Sequence, residues 1–250
     1  MAHPQIAAFA RLAEGGDVPV RKVYGQNTRL SRTMHAIQYN ELRDEFTVPL
    51  PISQSIMTFR GDSDGDEAPI RVIQGPSTQL GYIMRLAIDQ VHNEIFVPME
   101  GRVLVYPLLG NGDIAPIRIL AGPDTGFHGT RWDGEPTNNL GVDPVHNLLV
   151  VVAGDRLLIF NRTDQGNVKP MRVIGGPKSG LTNPGGPIAL YPPKGWIVLT
   201  NRIRGEGGRK ELGKGFIGVW SIFDNGDVPP RWKIGGPGGP FMEPRGVTLN

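Results

Sequence analysis

Apolar residues in this chain come in short runs separated by turn residues, and no apolar period of 3.6 persists long enough to mark a helix. EIFV (94–97), RVLVY (102–106), LLVVVAGDRLLIF (148–160), WIVLT (196–200) and FIGVWSIF (216–223) are rich in β-branched and aromatic residues and are punctuated by Gly, Asp and Asn. Such side chains pack well on a pleated surface, so the runs predict short strands joined by tight turns.

The runs recur in a fixed frame. A Pro, an Arg two residues on, two or three apolar residues and a Gly appear as PVRKVYG from Pro19, PIRVIQG from Pro69, PIRILAG from Pro116 and PMRVIGG from Pro170. A fifth copy, PRWKIGG from Pro230, carries Trp232 at the Arg position. Successive prolines stand between 47 (116 − 69) and 60 (230 − 170) residues apart. A turn signature precedes each Pro: Gly16-Asp17, Gly65-Asp66, Gly112-Asp113, Gly166-Asn167 and Gly226-Asp227. A unit of about 50 residues with four short antiparallel strands predicts a β-propeller blade. In the clearest unit strand A is LAID (86–89), B is EIFV, C is RVLVY, and D is IRVIQ (70–74) or a copy of it. Each Pro then opens a D strand, an outer edge where a missing N–H costs little.

The expected fold is therefore all-β, one propeller domain over residues 1–250 with five blades. Six blades follow if residues beyond Asn250 supply another unit. The chain opens in a segment matching strand C (QIAAF, 5–9) and ends in one matching strand A (GVTLN, 246–250). The N-terminal strands are thus expected to close the ring by pairing with the C-terminal strand, which would make removal of residues 1–16 strongly destabilising. A B strand for that closing blade has no counterpart in the sequence, so either the chain continues past Asn250 or the closing blade has three strands.

EPRGVTLN, NNLGVDPVHNLLVV and RLAIDQVHNEIFVP resemble degenerate NHL repeats. The Ala-Asp usual after strand B in that family is replaced by Pro98-Met99, Val152-Ala153 and Asn201-Arg202. The resemblance implies a propeller. It also implies a choice among protein- and RNA-binding modules, extracellular bacterial proteins, and relatives of metal-dependent lactonases and lyases. An exported location, periplasmic or extracellular, is the expectation it carries, with no signal peptide in this chain.

Composition narrows the chemistry. There is no cysteine, which removes disulfides, thiolate nucleophiles and thiolate metal sites. The 26 basic and 24 acidic side chains leave a net charge of only +2, so no whole-molecule field selects a nucleic acid or a membrane. No apolar run reaches the length of a membrane-spanning helix.

In a propeller the D-to-A and B-to-C connections lie on one face, around the channel mouth. Two of them exceed the repeat minimum: 122–139 (GPDTGFHGTRWDGEPTNN) and 201–215 (NRIRGEGGRKELGKG). Lengthened loops on one face, on neighbouring blades, predict a binding surface. The first brings His128, Arg131, Trp132, Asp133 and Glu135; the second brings Arg202, Arg204, Arg209 and Lys210. A Trp beside an Arg cluster suits an anionic or carbohydrate-like partner or a protein hot spot, with a protein partner preferred. Nucleic acid is disfavoured because no aromatic ladder accompanies the cations.

The expected function is a non-catalytic interaction scaffold; the alternative is a metal-dependent, lactonase-like hydrolase or lyase at the channel mouth. Positions leading into each strand A read His35, Arg85, Asn138 or Asn139, Pro187 and Arg245. Asn138, Asn139, Asp133 and Glu243 offer oxygens for a cation, but Arg85 and Arg245 add opposing charge. No cofactor is expected; calcium is the one candidate, because Asp62-Ser63-Asp64-Gly65-Asp66-Glu67 resembles the start of a calcium loop. Its twelfth position is Ile73, not an acid, so an acidic hairpin turn is the preferred interpretation. His92 and His146 occupy matching A-to-B turns (DQVHNEI, DPVHNLL), which points to turn chemistry, with Asp89 and Asp143 accepting backbone N–H bonds. Arg21, Arg71, Arg118 and Arg172 are expected to serve structure on the outer strands.

Overall fold

The computed structural model describes residues 4–127, 137–182, 184–203, 214–241, 244 and 246–249. It begins with a two-stranded sheet, β1 (Gln5–Ala8) and β2 (Arg21–Tyr24). Four four-stranded antiparallel sheets follow in a propeller-like ring. Blade 1 holds β3 (Gln38–Asn40), β4 (Glu45–Leu50), β5 (Ser55–Arg60) and β6 (Arg71–Ile73). Blade 2 holds β7 (Ala87–Asp89), β8 (Glu94–Met99), β9 (Arg102–Pro107) and β10 (Arg118–Ala121). Blade 3 holds β11 (Thr137–Asp143), β12 (Leu148–Ala153), β13 (Arg156–Asn161) and β14 (Arg172–Ile174). Blade 4 holds β15 (Pro184–Tyr191), β16 (Trp196–Asn201), β17 (Phe216–Ser221) and β18 (Trp232–Gly235).

The strands fall where the apolar runs placed them, in the order A-B-C-D within each blade. The register repeats as well: Thr58 opposes Arg71, Val105 opposes Arg118, Ile159 opposes Arg172 and Val219 opposes Trp232. Trp232 therefore does stand at the Arg position.

Two expectations are corrected. Among the described residues the ring has four four-stranded blades, not five or six, and β1 and β2 form a separate two-stranded sheet. The pairing expected to close the ring is not formed: β1 pairs with β2 alone, and residues 246–249 belong to no strand. Val247–Leu249 line the channel beside the A strands, whereas β1 holds the C position. Positions A and C are two strand spacings apart, roughly 9 to 10 Å, too far for a backbone hydrogen bond without a B strand between them.

Each complete blade buries both faces. Alternate residues of β12 and β13 divide between two clusters, Leu149, Val151 and Leu158 facing blade 2 and Leu148, Val150 and Ile159 facing blade 4. That explains why the B strands are continuously apolar rather than alternating.

Neighbouring units are joined by a latch, which accounts for the two marks repeated most faithfully in the sequence. The glycine after each D strand lies against the acidic or amide residue of the next unit's C-to-D turn: Gly25 with Asp66, Gly75 with Asp113, Gly122 with Asn167 and Gly176 with Asp227. That residue accepts a backbone N–H from the preceding unit, from Asn27, Ser77, Asp124 and Lys178 respectively, each at 2.7 Å. A short parallel bridge runs alongside, as Ile73 to Gly112 or Ile174 to Gly226. Gly75 has φ of 138°, and a Cβ there would lie 2.4 Å from the Asp113 carboxyl carbon. Asp113→Ala is expected to cost about 1 to 2 kcal/mol by orphaning the Ser77 N–H, and Gly75→Ala more, since it adds strain to the lost contact. Denaturant unfolding measures both; an Asp113→Ala midpoint equal to wild type would remove the latch.

Candidate functional site

The A strands and residues 247–249 surround a central cavity of about 450 Å³. Its rim is built by the D-to-A connections, which share one local chemistry. Thr28, Thr78, Thr125 and Ser179 each donate a hydroxyl to the latch-glycine carbonyl three residues back, at 2.6 to 2.7 Å. The same oxygen accepts the N–H two residues on, which directs Leu80, Phe127 and Leu181 into the core. In the long 122–139 connection, residues 122–127 are thus the ordinary repeat turn.

His128, Arg131, Trp132, Asp133 and Glu135 lie outside the described residues, as do Arg204, Arg209, Lys210, Glu243 and Arg245. Arg202, the one described member of the expected surface, directly follows β16. Its carbonyl accepts the Thr182 hydroxyl at 3.0 Å, and Asn201 fixes the same corner by donating to Gly180 O and accepting from Thr182 N, both at 3.0 Å. Gly185 makes room for the side chain: a Cβ there would stand 2.6 Å from Arg202 Nε.

Across the rim from blade 2 comes Arg85, held between the buried Ile83 and Leu86 and lining the cavity. Burial and the nearby Arg202 guanidinium both lower its pKa, in that order of size. Two guanidinium groups thus share one rim. Asn139 lines the cavity but is buried within β11, where its Nδ2 donates to Gly186 O. Pro187 is inside β15, at an irregularity in the β15–β16 register, rather than before it. His35 precedes β3 and is exposed.

His92 and His146 sit in A-to-B turns as expected. Asp89 Oδ1 accepts the N–H of Val91 and of His92 at 3.0 Å, and Asp143 repeats both bonds with Val145 and His146. The rings meet Asp89 and Asp143 at 2.7 and 2.9 Å, and Asn93 and Asn147 take positive φ. In the calcium-like string, Asp64 accepts the Lys22 N–H at 2.8 Å and Asp66 accepts that of Asn27, so both carboxylates serve the junction with β2. Among the described residues no three His, Asp or Glu side chains converge as a metal set.

Of the four outer-strand arginines three make structural contacts as expected: Arg71 pairs with Glu45, Arg118 with Glu94 at 2.7 Å, and Arg172 donates to Ile222 O at 2.8 Å, whereas Arg21 makes no ion pair among the described residues. Sequence reasoning missed Arg162, which leaves the end of β13 to meet Glu94 of blade 2 and Asn147 at 2.9 Å. No spacing signal marks it, because its partner is 68 residues away. No helix among the described residues is long and apolar enough to cross a membrane. In comparison with known proteins, no family model and no curated protein matches this chain.

Proposed function

We propose that the chain is a non-catalytic interaction propeller of NHL-like ancestry that takes a protein partner on the channel-rim face, through the 122–139 and 201–215 connections. The observation that carries this reading is the nearness of Arg85 and Arg202 at one rim, where the Arg202 guanidinium adds to the effect of burial in lowering the Arg85 pKa, a cost to its charged form. An anionic side chain of a partner relieves that cost, whereas a catalytic cation adds to it. The partner segment is therefore acidic.

The test is binding of a Glu-rich peptide to the full chain by calorimetry, with Arg202→Ala and Arg202→Glu as variants. Arg202→Ala is expected to weaken binding about tenfold and Arg202→Glu to abolish it, with affinity falling as salt rises. Absence of binding, or an Arg202→Glu protein that binds equally well, would overturn the reading. So would one calcium or zinc per chain by elemental mass spectrometry together with lactone hydrolysis, which is the outcome expected of a lactonase-like enzyme.

A further inference from the structure

We propose that the central channel is a binding site for a small-molecule monocarboxylate, seated against Arg85 below the rim. Arg85 also belongs to the acidic-partner surface, so ligand and partner compete for it; that competition rests on the rim reading, whereas the binding itself does not.

Five segments of described residues wall the channel: 36–38, 85–88, 139–142, 187–190 and 247–249. Its volume of about 450 Å³ lies within the range of small-ligand sites, roughly 300 to 1,000 Å³. Register explains the space. Gln38, Ala87, Gly141 and Ala189 each oppose the third residue of their B strand, so they stand at one level of the wall. Three of these four are Ala or Gly, and little side chain fills the channel there. Arg85 stands two residues nearer the rim, on the same side of its strand as Ala87.

Charge then selects the ligand. Of the described residues lining the channel, Arg85 is the only charged one, and no acid is among them. Its guanidinium is half-buried and makes no ion pair or hydrogen bond among the described residues; burial and the Arg202 guanidinium act on it, and both lower its pKa. Arginine stays protonated, so a charge with reduced hydration is left uncompensated. Arg71, Arg118, Arg162 and Arg172 show how this fold treats an enclosed guanidinium: each meets a carboxylate or carbonyl oxygen. Arg85 is the exception, and the ligand supplies the acceptor.

A cation is repelled there, and a neutral molecule leaves the charge as it was. A carboxylate presents two coplanar oxygens to the guanidinium fork and brings one charge to meet one. Gln38 and Thr248 add neutral hydrogen-bonding groups to the wall, while Leu86, Leu140 and Ile188 add apolar surface. The ligand is therefore a monocarboxylate with a short, partly apolar body; a second carboxylate would find no second cation among the lining residues. Once bound, it compensates Arg85 and weakens the rim's attraction for an acidic segment. Channel occupancy thereby regulates partner capture.

The experiment titrates butyrate, hexanoate and benzoate into the full chain, each against its neutral amide, and follows saturation-transfer NMR of the ligand and backbone amide shifts of the protein. At least one carboxylate is expected to saturate with a Kd of about 1 mM or below, within reach of ligands of about six to nine heavy atoms. Shifts should concentrate at residues 86–88 and 140–142. The matching amide is expected to bind about tenfold more weakly or worse, as is the carboxylate to Arg85→Gln; Arg85→Lys, which keeps the charge and loses the fork, should fall between. If Arg85→Gln misfolds, the amide comparison still decides. Absence of saturable binding by all three carboxylates overturns the proposal, as does equal binding of acid and amide or binding indifferent to Arg85→Gln. Inorganic phosphate or succinate binding as tightly as the best monocarboxylate overturns the ligand class. A saturating carboxylate should weaken capture of the Glu-rich peptide about fivefold or more, and undiminished capture would overturn the regulation. Peptide capture without carboxylate binding defeats this proposal alone, and carboxylate binding without peptide capture defeats the rim reading alone.

Discussion

Glu94→Ala is expected to lower the melting temperature by about 10 °C, one of two predicted losses in stability of similar size. Glu94 is the first residue of β8 and is 8% exposed. One carboxylate oxygen meets Arg118 of its own blade at 2.7 Å and the other meets Arg162 of blade 3, which also lies 3.5 Å from Asp89. Removing the carboxylate takes from Arg118 its ion-pair partner and leaves the buried Arg162 with only Asp89 and Asn147. Breaking a buried pair by deleting one partner costs about 3 to 5 kcal/mol, and each kcal/mol moves a chain of this length by roughly 2 to 4 °C. Glu94→Gln retains one acceptor and is expected to lose about half as much. Calorimetric melting measures the series, and native-state amide exchange should show β8 and β13 loosening together. A Glu94→Ala shift of only about 2 °C, the scale of a solvated surface pair, would refute the account of an inter-blade clasp.

Trp220→Ala is expected to cost a similar amount, about 3 to 5 kcal/mol, by opening a cavity between blades 3 and 4. Trp220 is fully buried, with Phe216 at 6.4 Å between ring centroids, and its indole lies over Gly218, where a Cβ would come within 2.3 Å of the ring. Its indole N–H has no acceptor among the described residues, an unpaired donor that water would have satisfied in the unfolded chain. Trp220→Phe keeps an aromatic ring and deletes that donor, so its cost should be far smaller, about 1 kcal/mol or less. Equal losses for Phe and Ala would refute the cavity account, since the ring that Phe retains would then contribute nothing. Gly218→Ala should also destabilise, because it closes the space the indole occupies.

Much of the architecture was legible because it is local. Strand runs, the Pro-x-Arg frame and the glycine after each D strand repeat at a spacing that only stacked four-stranded units explain, and the A-to-B turns with Asp89 and Asp143 followed from turn chemistry. The blade count failed for a reason just as physical. Three of a closing blade's strands were readable, but β1 pairs with β2 and residues 246–249 belong to no strand, and hydrogen-bonded closure does not tolerate a missing middle strand. Of the candidate surface, only Arg202 belongs to the described residues, and its neighbour proved to be Arg85, a residue singled out for another purpose.

Sequence by itself determined that the chain makes all-β repeating units, where each begins, and that Trp232 replaces an arginine, since pattern and turn preference act over a few residues. Tertiary structure alone decided which units are latched, that Glu94 bridges Arg118 and Arg162, and that Ile234 stays exposed while its four counterparts are buried. Those outcomes depend on contacts between residues some 25 to 70 positions apart, and a one-residue displacement of Asp17 relative to Gly15 is enough to leave one junction without the bond that holds the other four.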